Sequence, residues 1–421
     1  MQVSYNLKYQ KANFANKVLI EKEGEIIIYD RGFKLRGKGA TDKGEMINFA
    51  DIKEFYYRND KLFFITFTKA KYTLSGIGTA FEEFLHTIYK CRNEFLVEAL
   101  FMRHGKLKGE FDAYFDRYSK FSKPINKGTC KLKLYEGGLI IIPEDQDAFG
   151  ISFNFVNFHE FVEDEYQWKI TMDDGGLTII SHLGNDFEVF QENINEVFGN
   201  MYEKLVNEDL KEVFYDFDAG TLLKLAYKLR GGKTVNLKEI QKMDKTLADR
   251  VSEFFFSDKV LAEKFEMFNK MTDEYSRYFG IAKDPLTHQG FVRWLMYALP
   301  EYNTVAFCIL NKWTSEDQPV NPKGAHDTFF FKIIMEKGLP SEKVADKVLE
   351  IEQSLVNLNF TKDPCYKDKK ELRNSPFRYA IRKLPYLRIL RKSYSGMANA
   401  ESVTEWQKQA KEILDKSKLN N

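Results

Sequence analysis

The chain has 421 residues, 43% hydrophobic, 15% aromatic and 30% charged, with 37 Phe and 22 Tyr. That much apolar material excludes a disordered chain and suffices for more than one packed core. A net charge of +1 excludes a global field that gathers nucleic acid or membrane, and no apolar run approaches the roughly 18 residues of a spanning helix.

The N-terminus, Met1 to Lys8, lacks a charged start followed by an apolar block, so no secretory signal is expected. Cys91, Cys130, Cys308 and Cys365 are widely spaced and form no Cys-x-x-Cys, which reads as reduced thiols of a cytoplasmic protein.

Along the chain, Lys17–Ile20, a Glu23-Gly24 turn and Glu25–Tyr29 read as a strand hairpin. Leu62–Phe67 and Lys71–Leu74 read as further strands. Thr79 and Glu82 have capping-box spacing, and Phe81, Phe84, Leu85, Ile88, Phe95, Leu96 and Ala99 then fall on one helical face. A second set follows. Cys130–Leu134, a Gly137-Gly138 turn and Leu139–Ile142 read as a hairpin, Tyr166–Met172 alternates as a strand, and Leu177–Ile180 follows the Asp173–Gly176 turn. Asn185 with Glu188 then opens an amphipathic helix carrying Phe187, Phe190, Ile194, Val197, Met201 and Leu205.

These two sets are copies of one unit. Leu74–Ile88 reappears 106 residues later as Ile180–Ile194, with Ser75/Ser181, Gly78/Gly184, Phe81/Phe187, Glu82/Glu188, Phe84/Phe190 and Ile88/Ile194 identical. The same ungapped offset pairs Phe49 with Phe155, Glu54 with Glu160, Phe55 with Phe161, Leu62 with Trp168 and Phe64 with Ile170. The opening hairpins align at an offset of 114 instead, which places a longer loop in the first copy. Duplication predicts like surroundings for Phe81 and Phe187.

An antiparallel sheet closed by a C-terminal amphipathic helix, with the Leu/Ile-Ser-x-Ile/Leu-Gly-x-x-Phe-Glu-x-Phe signature, resembles the pleckstrin-homology-like (PH-like) fold over roughly residues 15–105 and 128–207. The whole chain also resembles an uncharacterised bacterial group with tandem modules of this kind and the tail pattern seen as Arg378 to Arg391. The resemblance implies a fold and no activity. Lipid-binding members of the PH class place cations in the first hairpin and loop. Lys17, Lys22, Arg31, Lys34, Arg36 and Lys38 fit that in copy one, whereas the loop Pro143–Phe149 of copy two is acidic, so lipid binding is disfavoured.

Residues 207–279 carry helical periodicity, broken at Gly231-Gly232. Phe291–Leu299 and Thr304–Leu310 read as strands flanking a Pro300–Asn303 turn, His326–Ile334 as a third strand, and the run from Ser341 with Val344, Val348, Ile351, Leu355 and Leu358 as a helix. The fold class is therefore α+β: two tandem PH-like modules, then a helical segment and a smaller α+β region. The expected domains are 1–110, 111–212, 213–285 and 286–421.

Residues 372–400 contain no Asp or Glu. Arg373, Arg378, Arg382, Lys383, Arg388, Arg391 and Lys392 stand there as anion-binding candidates, with Phe377, Tyr379, Tyr386 and Tyr394 between them. The competing reading docks Tyr379, Ile381, Leu384, Leu387 and Leu390 on the body and lets the cations answer acidic patches. Pro385 interrupts any amphipathic membrane helix here.

No metal-ligand spacing links His86, His104, His159, His182, His288 and His326, and there is no nucleophile elbow or dinucleotide fingerprint. Gly32–Gly39 imitates a phosphate loop without its Ser/Thr or following helix. Glu163–Glu165 and Asp173-Asp174 read as turn residues, and His326-Asp327 as a strand start. No catalytic, metal or cofactor site is therefore expected. The reading is a non-catalytic cytoplasmic scaffold that binds a protein partner through its PH-like modules, for instance by β-strand addition. The alternatives are a nucleic-acid or polyanion binder using residues 373–392, and a hydrolase with a dispersed site in the C-terminal half.

Overall fold

A computed structural model describes residues 3–39, 42–256, 259–272, 276–283, 291–310, 327–333, 348–355, 377–400 and 402–419. The chain forms two compact units, Met1–Val197 with Tyr366–Leu384, and Phe198–Cys365 with Pro385–Asn421.

The first unit holds module 1, and module 2 as far as Val197, within the closing helix of module 2. Module 1 comprises β1 (Val3–Ala12), β2 (Val18–Tyr29), β3 (Gly32–Gly37), β4 (Glu45–Asn48), β5 (Ile52–Arg58), β6 (Lys61–Thr66), β7 (Lys71–Ser75) and helix α1 (Phe81–Ala99). Module 2 repeats them as β8 (Leu107–Tyr118), β9 (Pro124–Tyr135), β10 (Gly138–Pro143), β11 (Phe149–Ser152), β12 (Val156–Val162), β13 (Gln167–Met172), β14 (Leu177–Ser181) and α2 (Phe187–Lys204). The sheet orders are identical, β4-β3-β2-β1-β7-β6-β5 and β11-β10-β9-β8-β14-β13-β12. In each, the first strand pairs with both the second and the last, which curls the sheet around its helix. The register repeats too: Tyr9 pairs with Leu74, and 106 residues on, Phe115 pairs with Ile180. Strand order and register together make these two PH-like modules.

Three details differ from the sequence reading. First, Val18–Tyr29 is one continuous strand, not a hairpin turned at Glu23-Gly24. The true first hairpin joins β1 to β2, and β1 was readable in the alternation of Tyr5, Leu7 and Tyr9, all buried. With that corrected, β2 and β9 align at 106, not 114.

Second, β4, the short 3-10 turn Phe49–Asp51 and β5 match Phe149–Ser152, Phe153–Phe155 and Val156–Val162 at an offset of 104. The equivalent of Phe49 is Phe153, both fully buried, and that of Phe55 is His159 rather than Phe161. A loop two residues shorter after β10 is balanced by one two residues longer after β12, so the offset returns to 106 at β6 and β13. A shift of two preserves which face of a strand each side chain occupies, so an ungapped alignment still matches apolar to apolar.

Third, neither helix begins with a capping box. Each is entered through a 3-10 turn, Gly78–Ala80 or Gly184–Asp186, without a side-chain cap. Gly78 and Gly184 lie at φ 70° and 56°. Nothing lies within 4 Å of a Cβ added at either, so backbone conformation alone requires glycine there. Phe81 and Phe187 do share surroundings: both are buried and edge-on to an aromatic at the end of the fifth strand or the turn after it, Tyr57 at 6.5 Å and Tyr166 at 5.4 Å.

The second unit carries a six-stranded antiparallel sheet in sequential order: β15 (Val235–Asn236), β16 (Arg277–Lys283), β17 (Phe291–Leu299), β18 (Thr304–Ile309), β19 (Thr328–Lys332) and β20 (Tyr394–Ala398). Among the described residues the first strand does not pair with the last, so this sheet does not repeat the PH-like order. β17 is apolar except at Arg293, which is buried with its Nη1 donating to the Phe254 carbonyl at 2.7 Å, because both its faces are covered. Leu295, Tyr297 and Leu299 face a core with Phe265, Phe268 and Trp406, while Trp294, Met296 and Ala298 face one with Val348, Ile351 and Leu390. After a π-helical turn at Leu205–Leu210 and a single turn at Lys211–Val213, the longer helices among the described residues are α3 (Ala219–Leu229), α4 (Leu237–Met243), α5 (Lys245–Phe256), α6 (Lys259–Met271), α7 over 348–355, α9 (Pro385–Ser393) and α10 (Val403–Leu419). Helix α8 (Phe377–Lys383) belongs to the first unit. The helical reading of 207–279 therefore overran into β16, and β20 and α10 were not foreseen. Val344 and Leu358 lie outside the described residues.

Candidate interaction site: the clasp and cleft between the PH-like modules

Helix α1 serves two bodies. Its apolar stripe closes module 1, yet Arg92 falls on that stripe, one turn from Ile88 and Phe95, and is fully buried. A cation on an apolar helical face needs a partner. Asp147, in the loop between β10 and β11, supplies it: Arg92 Nε donates to Oδ1 at 2.6 Å and Nη2 to Oδ2 at 2.7 Å. The guanidinium also lies 4.6 Å from the Phe55 ring centre. Burial alone would lower the pKa of Arg92, but the Asp147 carboxylate outweighs it and the pKa is raised.

Asn93 completes the clasp. Its Nδ2 donates to the carbonyls of Pro143 and Gln146, each at 2.9 Å, and its Oδ1 accepts from Ala148 N at 2.8 Å. Tyr57 Oη donates to Asp145 Oδ2 at 2.6 Å. The acidity of the Pro143–Phe149 loop thus answers Arg92 and Tyr57 of the neighbouring module. In copy one, four of the six hairpin cations are likewise neutralised, by Lys22–Asp42, Arg31–Glu98, Arg36–Glu25 and Lys38–Glu23 ion pairs. Gly32–Gly37 is a strand, so no phosphate loop exists there.

Beside the clasp lies a cleft of about 470 Å³ between α1 and the module 2 sheet. Lys90, Glu94 and Arg103 stand on one side, Asp112, Lys131 and Glu144 on the other. Lys90 and Arg103 have no ion-pair partner among the described residues, while Lys131 faces Asp112 at 3.9 Å. Cys130 sits in its wall, where burial pushes the thiol up to about 12, far from a reactive thiolate. Interleaved signs suit a polypeptide segment better than a uniform polyanion.

No protein-family model matches the chain, and no curated protein matches it. Among solved structures the chain is similar to the Spt16D–Pob3N heterodimer. The identity is 12%, over 41% of this chain and 83% of that one, with a TM-score of 0.17. So low a TM-score carries no weight; the fold assignment rests on strand order and register.

The anion-binding candidates do not form one patch. Arg373 lies outside the described residues. Arg378, Arg382 and Lys383 are on α8 in the first unit, whereas Arg388, Arg391 and Lys392 are on α9 in the second. Arg378 pairs with Asp51, Lys383 donates to the Lys53 carbonyl, and the Arg382 guanidinium lies 4.7 Å from the Phe67 ring centre. Burial and the charge of Arg92 lower the pKa of Lys383. Arg388, Arg391 and Lys392 are exposed. Of the apolar residues proposed to dock, Tyr379, Leu384 and Leu390 are buried. Pro385 starts α9 rather than ending the chain's helical course.

Among the described residues no group of three or more His, Cys, Asp and Glu could hold a metal ion, and no helix is long and apolar enough to cross a membrane. His288, His326 and Cys365 lie outside the described residues. Asp173-Asp174 forms a turn, with Asp174 Oδ1 accepting from Gly176 N at 2.9 Å. Sequence reasoning missed the clasp, though a charged residue on the apolar face of α1 was its visible signal. It also missed the hairpin tips. Phe14 and Phe121 are each 72% exposed, on turns closed by Asn16 N to Asn13 O and by Ser122 N to Ser119 O.

Proposed function

We propose that this chain is a non-catalytic interaction protein whose two PH-like modules act as one rigid platform for a protein partner inside the cell. The clasp carries this reading. Arg92 and Asn93, both buried, lock the second module to the first through directional hydrogen bonds, and the lock leaves an open cleft of peptide size beside it. A platform that stays rigid loses little entropy when a partner docks. The exposed Phe14 and Phe121 tips offer further apolar contact.

Panning the full chain against a displayed library of random peptides tests it. Peptides with charges of both signs should enrich, and Lys90→Glu with Lys131→Glu should weaken them about tenfold. Absence of enrichment, or binding indifferent to both substitutions, overturns the cleft.

A second reading has its own support. Arg388, Arg391 and Lys392 are exposed on α9, have no side-chain hydrogen bond or ion pair among the described residues, and lie in a stretch free of acidic residues. Three phosphate contacts predict that log affinity for single-stranded oligonucleotide falls with log salt at a slope of about −2. Arg388→Glu with Arg391→Glu should abolish that binding. Retention unchanged by the pair removes the reading.

A further inference from the structure

Helix α8 arrives at module 1 from more than 300 positions along the chain, its Arg378 reaching Asp51 across a separation of 327. The seven strands and α1 already form the repeated unit, so α8 is an addition to it. Its contact has a clear anatomy. Tyr379 is the anchor, 1% exposed and edge-on to Phe95 at 5.2 Å and to Phe67 at 6.3 Å. Phe377 stacks on Phe101 at 6.3 Å. Around the anchor are three cations: Arg378 on Asp51, Arg382 on the Phe67 ring and Lys383 on the Lys53 carbonyl of β5. One deep aromatic with a polar rim is how a short helix sits in a peptide groove. The floor of this groove adjoins the clasp, because Tyr379 packs into the same core as Phe55 and Tyr89, and the Phe55 ring lies 4.6 Å from the Arg92 guanidinium.

We propose that module 1 carries a recognition groove for a basic helix anchored by an aromatic residue, and that α8 occupies it in cis as a detachable strap. The partner helix has an aromatic anchor, a cation one residue before it and cations three and four residues after. Displacing α8 uncovers the Arg92–Asp147 pair, so partner binding at the groove loosens the joint between the modules. A tethered strap acts at an effective concentration of about millimolar, so the intact chain resists a micromolar competitor.

The test uses the full chain and a fluorescein-labelled peptide with the sequence of residues 375–386. Arg378→Ala with Arg382→Ala weakens the strap without opening a core cavity; Tyr379→Ala is the second variant. Both should capture the peptide at least about tenfold more tightly than the wild type, and a peptide with Tyr379→Ala should bind neither. Hydrogen exchange should quicken over 377–383 and the last turn of α1 while β1 and β7 stay protected. Failure of both folded variants to capture peptide overturns the strap. So does loss of the module's far-UV signal in the arginine variant, since α8 would then be part of the core. Lys90→Glu with Lys131→Glu should leave peptide capture unchanged, so the cleft and the strap fail separately.

Discussion

Arg92 of module 1 and Asp147 of module 2 meet through two parallel hydrogen bonds, with the arginine side chain wholly buried and the aspartate 39% exposed. At the matching positions of the second copy the sequence has Phe198 and Gly199 where module 1 has Arg92 and Asn93, so the clasp was built once, where the copies had to differ. The burial asymmetry predicts an asymmetry in cost. Asp147→Ala leaves a buried, unpaired guanidinium and should cost about 4–5 kcal/mol. Arg92→Met keeps most of the volume, removes the charge, and frees a carboxylate that water can reach, so it should cost about 2 kcal/mol less. Urea unfolding of the two variants measures the order. Equal losses would mean that Asp147 contributes little to neutralising Arg92.

Two kinds of glycine should separate cleanly. At Gly78 and Gly184 the constraint is a left-handed backbone with open space around it, so alanine should cost about 1–2 kcal/mol at each. Gly32 and Gly138 are limited by contact: a Cβ would stand 2.3 Å from the Ile47 carbonyl oxygen and 2.7 Å from that of Ile151. Alanine there must push β4 or β11 away and should cost about 3 kcal/mol or more. Thermal melts of the four variants should fall into these two pairs. Agreement within pairs and difference between them would reflect the duplication energetically.

What was legible in the sequence follows from what geometry forces. Gly78/Gly184 survive because no side chain relaxes a positive φ cheaply, and Phe84/Phe190 because both rings are fully buried beneath the helix. The two-residue slip that pairs Phe55 with His159 was invisible, since period-two alternation hides it. Nor could the turn after β1 be placed while Gly24 looked like a turn; it is a strand residue facing Leu7 on one side and Gly37 on the other. Arg92 on the apolar face of α1 signalled that a partner exists, but identifying it as Asp147, 55 positions away in an ordinary acidic loop, needed tertiary knowledge. The basic tail illustrates a limit of composition. Seven cations read as one patch, yet those described fall on two bodies, and three of them are engaged at module 1.

The two lids should also respond alike to truncation. Phe84 and Phe190 are completely buried, Phe84 edge-on to Tyr5 at 5.4 Å and Phe190 edge-on to Phe111 at 5.1 Å, with Tyr5 and Phe111 matching at the repeat offset. Phe→Ala at either should cost about 3–5 kcal/mol. Because the clasp joins the modules, each variant should still unfold in one transition with an unchanged denaturant slope. Two separated transitions would show that the modules melt independently and that the clasp does not couple them.

Alkaline pH should destabilise the first unit through its tyrosines. The hydrogen bond to Asp145 and then burial raise Tyr57 to about 12, and burial, reinforced by Glu45, raises Tyr72 to about 12. Burial also raises Tyr89 and Tyr379. A tyrosine whose folded pKa exceeds its unfolded value of about 10 holds its proton more tightly in the native state. Its stabilisation is therefore complete below pH 10 and is lost as pH climbs through about 12. Lys383 opposes this: burial depresses its ammonium, so deprotonation favours the docked form. One lysine does not offset four tyrosines. The urea midpoint should begin to fall at about pH 8.5, where the unfolded thiols of Cys91 and Cys130 ionise, and fall more steeply above about pH 10 as the tyrosines follow, and Tyr57→Phe should make that steeper part shallower. A midpoint that holds steady to about pH 11 would mean that these hydroxyls ionise as readily in the folded chain as in the unfolded one, and that Tyr57 does not grip Asp145 across the module joint.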